Sequence, residues 1–175
     1  MALLNLSAPQ EAAGLFSQID VPGKREPANE YHITLAYFGK DVAVGEVARV
    51  MAATRFVVSR FGPFPVRTST LASFPAGEDG VPIICLVDSA PLLDLRAQLV
   101  AAYHAEGIDF SEKHEYQPHV TLSYAEASIA ARPILPIEWL VQDVVLWGEG
   151  FPICTFPLAA SLAQRVARRF LTGSR

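Results

Sequence analysis

Hydrophobic and polar positions along this chain follow two periods, and the switches between them divide it into short elements. Residues 2–6 are an apolar run of strand length. Ser7-Ala8-Pro9-Gln10-Glu11 then supplies a capping hydroxyl, an early proline and a first-turn acid, predicting a helix to about residue 20. Residues 21–29 carry Pro22, Gly23 and Pro27 among charged and amide side chains and read as loop. Residues 30–38 alternate as a strand does, and Gly39 closes them. Val47, Val50, Met51, Thr54 and Val58 fall at near-helical offsets within 42–60, with Asp41 as cap and a break at Gly62-Pro63. Segments 64–74 and 81–87 are rich in Val, Ile, Phe and Thr and flank a turn at 75–80, predicting a β-hairpin. Ser89-Ala90-Pro91 opens a helix with an apolar stripe at Leu92, Leu95, Leu99 and Ala102 that ends at Gly107. A charged loop over 108–116 leads to a strand over 117–124. Residues 132–136 read as a proline-punctuated loop, 138–147 and 151–158 as strands around Gly148-Glu149-Gly150, and 160–171 as a terminal surface helix.

Two of these strands carry one pattern, Tyr31-His32-Ile33-Thr34-Leu35 and Pro118-His119-Val120-Thr121-Leu122, 87 residues apart. Successive side chains of a strand point to opposite faces, so each His shares a face with its Thr while Ile33, Leu35, Val120 and Leu122 share the other. One His-x-Thr triplet would carry little weight; two, each bordered by apolar residues, point to an internal duplication. The expected fold is α+β: bilobal and pseudo-symmetric, with two antiparallel sheets facing a central cleft and helices outside. It forms a single bilobal domain over 1–175, in which 159–175 is a C-terminal helical tail.

Composition narrows the function classes. A content of 51% hydrophobic residues is ample for one core, and no apolar run approaches the length of a membrane helix. The N-terminus does not read as a secretory signal, so a cytoplasmic location is expected, or host cytoplasm if the protein is phage-encoded. Cys85 and Cys154 sit in apolar segments without metal-ligand spacing and read as reduced thiols. A net charge of −4, with lysine only at positions 24, 40 and 113, argues against long nucleic acid and leaves room for a small phosphate ester.

If both polar faces meet at one cleft, two imidazoles and two hydroxyls converge. Histidine titrates near neutrality, so one ring can accept a proton while the other donates one, as displacement at phosphorus requires. A Thr hydroxyl can donate to the non-bridging oxygens where charge accumulates. Other readings are two buried strand histidines satisfied by neighbours, and a zinc site, which lacks a third ligand at a familiar spacing.

The paired stretches His32-Ile33-Thr34 and His119-Val120-Thr121 resemble the signature of the two-histidine (2H) phosphoesterase superfamily, two His-x-Ser/Thr motifs on strands of a bilobal α+β fold. The order of elements fits over most of residues 1–158. The resemblance implies His32 and His119 as the acid/base pair, Thr34 and Thr121 as phosphate-holding donors, and neither cofactor nor metal. It implies a phosphodiesterase acting on 2′,3′-cyclic phosphates, 2′-5′ linkages, ADP-ribose cyclic phosphate or, as in phage proteins that defeat bacterial cyclic-oligonucleotide immunity (anti-CBASS), cyclic oligonucleotides. The expected partner is a nucleotide, cyclic nucleotide or short RNA, and the protein a monomer or small homo-oligomer. No Lys-x-Asp-Gly sequence is present, which disfavours ATP-driven ligation. A binding module that sequesters a nucleotide or RNA end in the same cleft is the alternative.

Strand parity adds weaker candidates for substrate binding. Alternation places Phe38 on the first polar face, where it could stack on a base or pack in the core, and Ser123 on the second. Tyr116 and Tyr124 bracket the second motif and could donate to phosphate or pack. Glu149 could orient a histidine or be an ordinary turn acid. Arg67 could neutralise a phosphate or be a sheet-edge charge. His104 and His114 read as solvated.

Overall fold

In the computed structural model, residues 1–159 are described; the expected helix at 160–171 lies outside them. Nine strands and three helices run in the order β1 (Ala2–Ser7), α1 (Gln10–Gln18), β2 (Lys24–Arg25), β3 (His32–Gly39), α2 (Val44–Val58), β4 (Phe64–Ser73), β5 (Val81–Asp88), α3 (Ala90–Ala105), β6 (His119–Ala125), β7 (Arg132–Val141), β8 (Asp143–Gly148) and β9 (Phe151–Pro157). A 3-10 turn at Ala28–Glu30 precedes β3. Among the described residues no helix is long and apolar enough to cross a membrane.

The strands pair antiparallel in the order β7-β4-β5-β6-β3-β1-β8-β9, with the short β2 on β6. The two expected sheets are therefore joined. The link is narrow: β3 and β6 share the single register pair Ile33–Val120, whereas β5–β6 and β1–β3 each pair at six positions. The two lobes are symmetric about that link, but each draws strands from both chain halves. β4 leaves the first half to pair with β5 and β7, and β8 and β9 return from the end of the chain to flank β1.

Burial explains the motif strands. Ile33, Leu35, Val120 and Leu122 are all at or below 1% exposure. They join Leu4, Leu6, Phe16, Leu95, Leu99 and Tyr103 in a core that the helices cover. Full burial stabilises by roughly 1.5–3 kcal/mol per large aliphatic side chain, so the apolar half of each motif fixes which face its polar half presents. The Thr54 hydroxyl on α2 and the Tyr103 hydroxyl on α3 lie 2.7 Å apart and tie these helices together within the core.

Several expectations shift locally. Helix α1 begins after Pro9 without a side-chain cap, because Ser7 still belongs to β1 and its hydroxyl donates to the Asn5 carboxamide oxygen at 3.0 Å. The cap of α2 is Ala43 rather than Asp41. Ser89 does cap α3, accepting from the Leu92 amide. The segment expected as a loop at 132–136 is the first half of β7. It lies at the sheet margin, where Pro133 and Pro136 need no second strand partner for their missing donors. The single strand expected over 138–147 is two, β7 and β8, divided at Gln142.

Gly23 decides how β2 seats on β6. Its φ of +84° lies in the left-handed region, and a Cβ there would stand 2.1 Å from the Tyr124 carbonyl oxygen. Gly23→Ala is expected to lower stability by about 2 kcal/mol or more, read from urea unfolding at pH 7. A change within about 0.5 kcal/mol would show that β2 can leave β6 at no cost.

Candidate active site

His32 and Thr34 on β3, and His119 and Thr121 on β6, all stand half-buried on the face opposite the core. With Ile33 paired to Val120 in antiparallel sense, His32 lies across from Thr121 and Thr34 across from His119. The two histidines are then diagonal neighbours, about 7–8 Å apart on regular antiparallel spacing. That spacing is between backbone positions, and both rings rise from it on the same face of adjoining strands.

Both rings are held alike. His32 Nδ1 lies 2.5 Å from the Glu30 carbonyl oxygen, and His119 Nδ1 lies 2.7 Å from that of Gln117. Each carbonyl belongs to the residue two positions earlier. It can only accept, so Nδ1 carries the proton and Nε2, across the ring, is left for the cleft. An aromatic ring packs on each imidazole: Trp147 on His32 with centroids 5.2 Å apart, and Phe74 on His119 at 4.7 Å.

A β-bulge in each motif strand resets the parity expected from the sequence. Leu4 pairs with Ala36 but Asn5 with Thr34, leaving Leu35 extra on β3; Ile83 pairs with Ser123 but Ile84 with Thr121, leaving Leu122 extra on β6. After the bulge the His/Thr face continues through Tyr37 and Tyr124. Phe38 is turned to the core side, edge-on to Tyr103 at 5.4 Å. Ser123 is fully buried and donates to the Pro22 carbonyl at 2.7 Å. Neither lines the cleft. Tyr37 was missed, although both strands read His-x-Thr-Leu-small-Tyr, a six-residue repeat that contains it.

The remaining candidates divide. Tyr124 borders the cleft, its phenol pushed up by burial and then by Glu26 and Asp79 nearby. The Tyr116 hydroxyl is committed to the Thr34 carbonyl at 3.1 Å, its ring lies against the Arg96 guanidinium, and burial pushes its phenol up, so it braces β3 instead of facing a ligand. Arg67 lies two strands from His119 and pairs with Glu138 at 3.2 Å, an exposed sheet-margin ion pair. Glu149 sits in the β8–β9 turn at φ 54°, its amide donating to the Met1 carbonyl, beside a cavity of about 620 Å³ lined also by Lys40 and Asp41. Register puts that turn beside Gly39, seven residues along β3 from His32, or roughly 23 Å. Glu149 is therefore remote from both histidines. His104 pairs with Glu112 at 3.0 Å, away from the motif face. Cys85 is buried, its thiol pushed up to about 12 by desolvation, which leaves it without nucleophilic character. Among the described residues no group of three or more His, Cys, Asp or Glu side chains has metal-holding geometry.

A family model, the 2′-5′ RNA ligase superfamily, matches residues 22–150 and so spans both motif strands and the sheet between them. The chain belongs to the 2′-5′ RNA ligase superfamily. No curated protein matches its sequence. Its fold matches a protein of Thermus thermophilus with TM-score 0.75 at 18% identity, over 91% of this chain and 98% of that one. It also matches E. coli LigT in complex with 3′-AMP at TM-score 0.63, 18% identity and 90% and 97% coverage. The MHV ns2 PDE domain follows at TM-score 0.58, 10% identity and 83% and 98% coverage. These likenesses show a shared fold over 83–91% of this chain.

Burial holds both imidazoles below the ordinary histidine value of 6.5; the carbonyl bonds oppose this shift, and on His119 the charge of His32 adds to it. Below about pH 6.5 the unfolded chain binds more protons at these positions than the folded chain, so stability falls as pH drops through the lowered folded values. The urea midpoint is expected to fall more between pH 7 and 5 for the wild type than for a His32→Gln/His119→Gln double variant. Identical slopes would show that neither ring is desolvated.

Proposed function

We propose that this protein is a metal-independent phosphodiesterase that cleaves a nucleotide phosphodiester or cyclic phosphate by acid–base catalysis between His32 and His119. The observation that carries the reading is the matched pair of histidines, each anchored through Nδ1 and presenting Nε2 on one face of adjoining strands. Superfamily membership supports phosphodiesterase-type chemistry, and the LigT complex with 3′-AMP is a case of a neighbour's fold holding a nucleotide.

In this mechanism the phosphate sits between the rings. One neutral Nε2 takes the proton of the attacking water or hydroxyl; the other, protonated, gives its proton to the leaving oxygen in line on the far side. One P–O bond forms as another breaks, and the rings exchange protonation states overall. The Thr34 and Thr121 hydroxyls donate to the non-bridging oxygens, where negative charge grows. Side chains supply every proton transfer, so no metal is needed.

Glu30 favours the charged form of His32, and a charged His32 disfavours charge on His119. The Glu30 charge thus favours His32 as the ring that carries the catalytic proton. The wall beyond Tyr124 carries Glu26, Glu30 and Asp79 against one cation, Lys24, with the Glu26 carboxyl pushed up by burial and then by Glu30, and Lys24 opposing. That wall repels a long polyanion and favours a small substrate: a 2′,3′-cyclic nucleotide, a short 2′-5′ linkage or a cyclic oligonucleotide.

Turnover of these three substrate classes, measured with and without EDTA, tests the proposal. His32→Ala and His119→Ala are each expected to lower kcat about 10²–10⁴-fold, and Thr34→Val or Thr121→Val about 10–10³-fold, with no effect of chelator. Activity lost to EDTA, or retained in the double histidine variant, refutes the mechanism. A nucleotide recovered intact after prolonged incubation at high protein concentration would instead establish a sequestering module.

Both free-enzyme imidazoles lie below 6.5 and one must be protonated, so kcat/KM is expected to decline as pH rises above about 6.5. A profile that rises from pH 6 to 8 would assign the chemistry to other groups.

A further inference from the structure

The two halves of the cleft share a backbone but not side chains. Across β1, Ser7 faces His32 and Asn5 faces Thr34; at the equivalent positions of β5, Leu86 faces His119 and Ile84 faces Thr121. The His32 half is polar and the His119 half apolar. Asn5 is fully buried on the cleft face, between core residues Leu4 and Leu6 that point the other way. Its Oδ1 accepts the Ser7 hydroxyl proton, and its Nδ2 has no partner. A strand that needed only packing here would carry an aliphatic residue, as β5 does. Trp147, on the Leu3 row of the sheet, reaches His32, so the line between the two rings crosses the Asn5 row.

The donor and acceptor pattern selects the ligand. Because the Ser7 proton is committed to Asn5, the exposed Ser7 oxygen presents lone pairs, while Asn5 Nδ2 presents a proton. A phosphate oxygen can only accept and suits one of the two. An alcohol donates to Ser7 and accepts from Asn5, and satisfies both. We propose that Asn5 and Ser7 form a subsite for a ribose hydroxyl next to the phosphate held by His32 and Thr34, occupied when the Trp147 ring swings aside. The subsite would read the hydroxyl beside a 2′-5′ or 3′-5′ linkage, or the one freed when a 2′,3′-cyclic phosphate opens, and rests on the phosphodiesterase reading above.

The test is binding of adenosine 3′-monophosphate, its 2′-deoxy counterpart and inorganic phosphate, followed by intrinsic fluorescence and calorimetry. Trp147 is one of only two tryptophans, and the other, Trp139, is in the core. Wild type is expected to bind the ribonucleotide about tenfold or more tightly than the deoxynucleotide, with a change in tryptophan emission. Asn5→Leu and Ser7→Ala are each expected to remove most of that preference while phosphate binding persists. Asn5→Leu should melt at the same temperature or higher, because it deletes an unpaired buried amide; a purely structural Asn5 would show a lower melting temperature and an intact preference. Equal binding of both nucleotides by wild type, alongside retained phosphate binding, overturns the subsite alone. Failure of all three ligands to bind overturns the phosphodiesterase reading and the subsite with it.

Discussion

One backbone pairing holds the active face together. Ile33 and Val120 are the only register partners between β3 and β6 among the described residues, and both are fully buried. Their burial is what keeps the two motif strands side by side. Substituting a core aliphatic residue of this kind by alanine commonly costs about 2–5 kcal/mol, yet the consequence here exceeds stability. Any slip of one strand by a single residue would send its His and Thr into the core and its aliphatics into the cleft. The chemistry of the polar face is thus guaranteed by the hydrophobicity of the other one.

Upon that pairing the sheet builds a repeated local device. Each histidine leans on the carbonyl two residues behind it, each motif strand bulges at the leucine after its threonine, and each ring meets an aromatic side chain, Trp147 of β8 on one side and Phe74 just past the end of β4 on the other. The bulge shortens the polar face to His, Thr and Tyr, with the intervening residues returned to the core. Because the anchors are backbone atoms just ahead of each strand, the tautomer does not depend on any side chain. Desolvation then keeps both rings neutral near pH 7 until an anion arrives, and a bound phosphate would raise both and restore a proton to the site.

Much of this was legible in the sequence, and what was not has definite causes. The period of two in Tyr31 to Leu35 and Pro118 to Leu122 gave the strands, their faces and the pairing of His with Thr, because burial enforces that alternation. Parity failed beyond the threonines. A bulge is a mismatch with a partner strand, and nothing within Leu35-Ala36 or Leu122-Ser123 announces it, so alternation alone puts Phe38 and Ser123 on the wrong face, while the core-packing alternative for Phe38 agrees with its contact to Tyr103. Tyr37 was readable by another route, since the two strands agree over six residues. Pro133 and Pro136 suggested a loop because the position of β7 at the sheet margin is a global property. The exchange of strands between lobes is global too, and it separates Glu149 from the histidines.

Symmetry poses a chemical problem that the flanking strands solve. Two equivalent histidines and two equivalent threonines would accept a phosphate in either of two orientations, and only one would set the attacking and leaving groups correctly. A preference of about 1.4 kcal/mol between orientations already gives tenfold discrimination. Glu30 against Gln117 biases the charge of the rings, and Asn5 with Ser7 against Ile84 with Leu86 biases where a hydroxyl is welcome. An unpaired buried amide costs the folded chain about 1–3 kcal/mol. A ligand that satisfies Asn5, as proposed above, would offset that cost, and the same donation would orient the substrate. On the proposed mechanism the duplicated motifs place the proton carriers, while the differences on β1 and β5 give the reaction its direction.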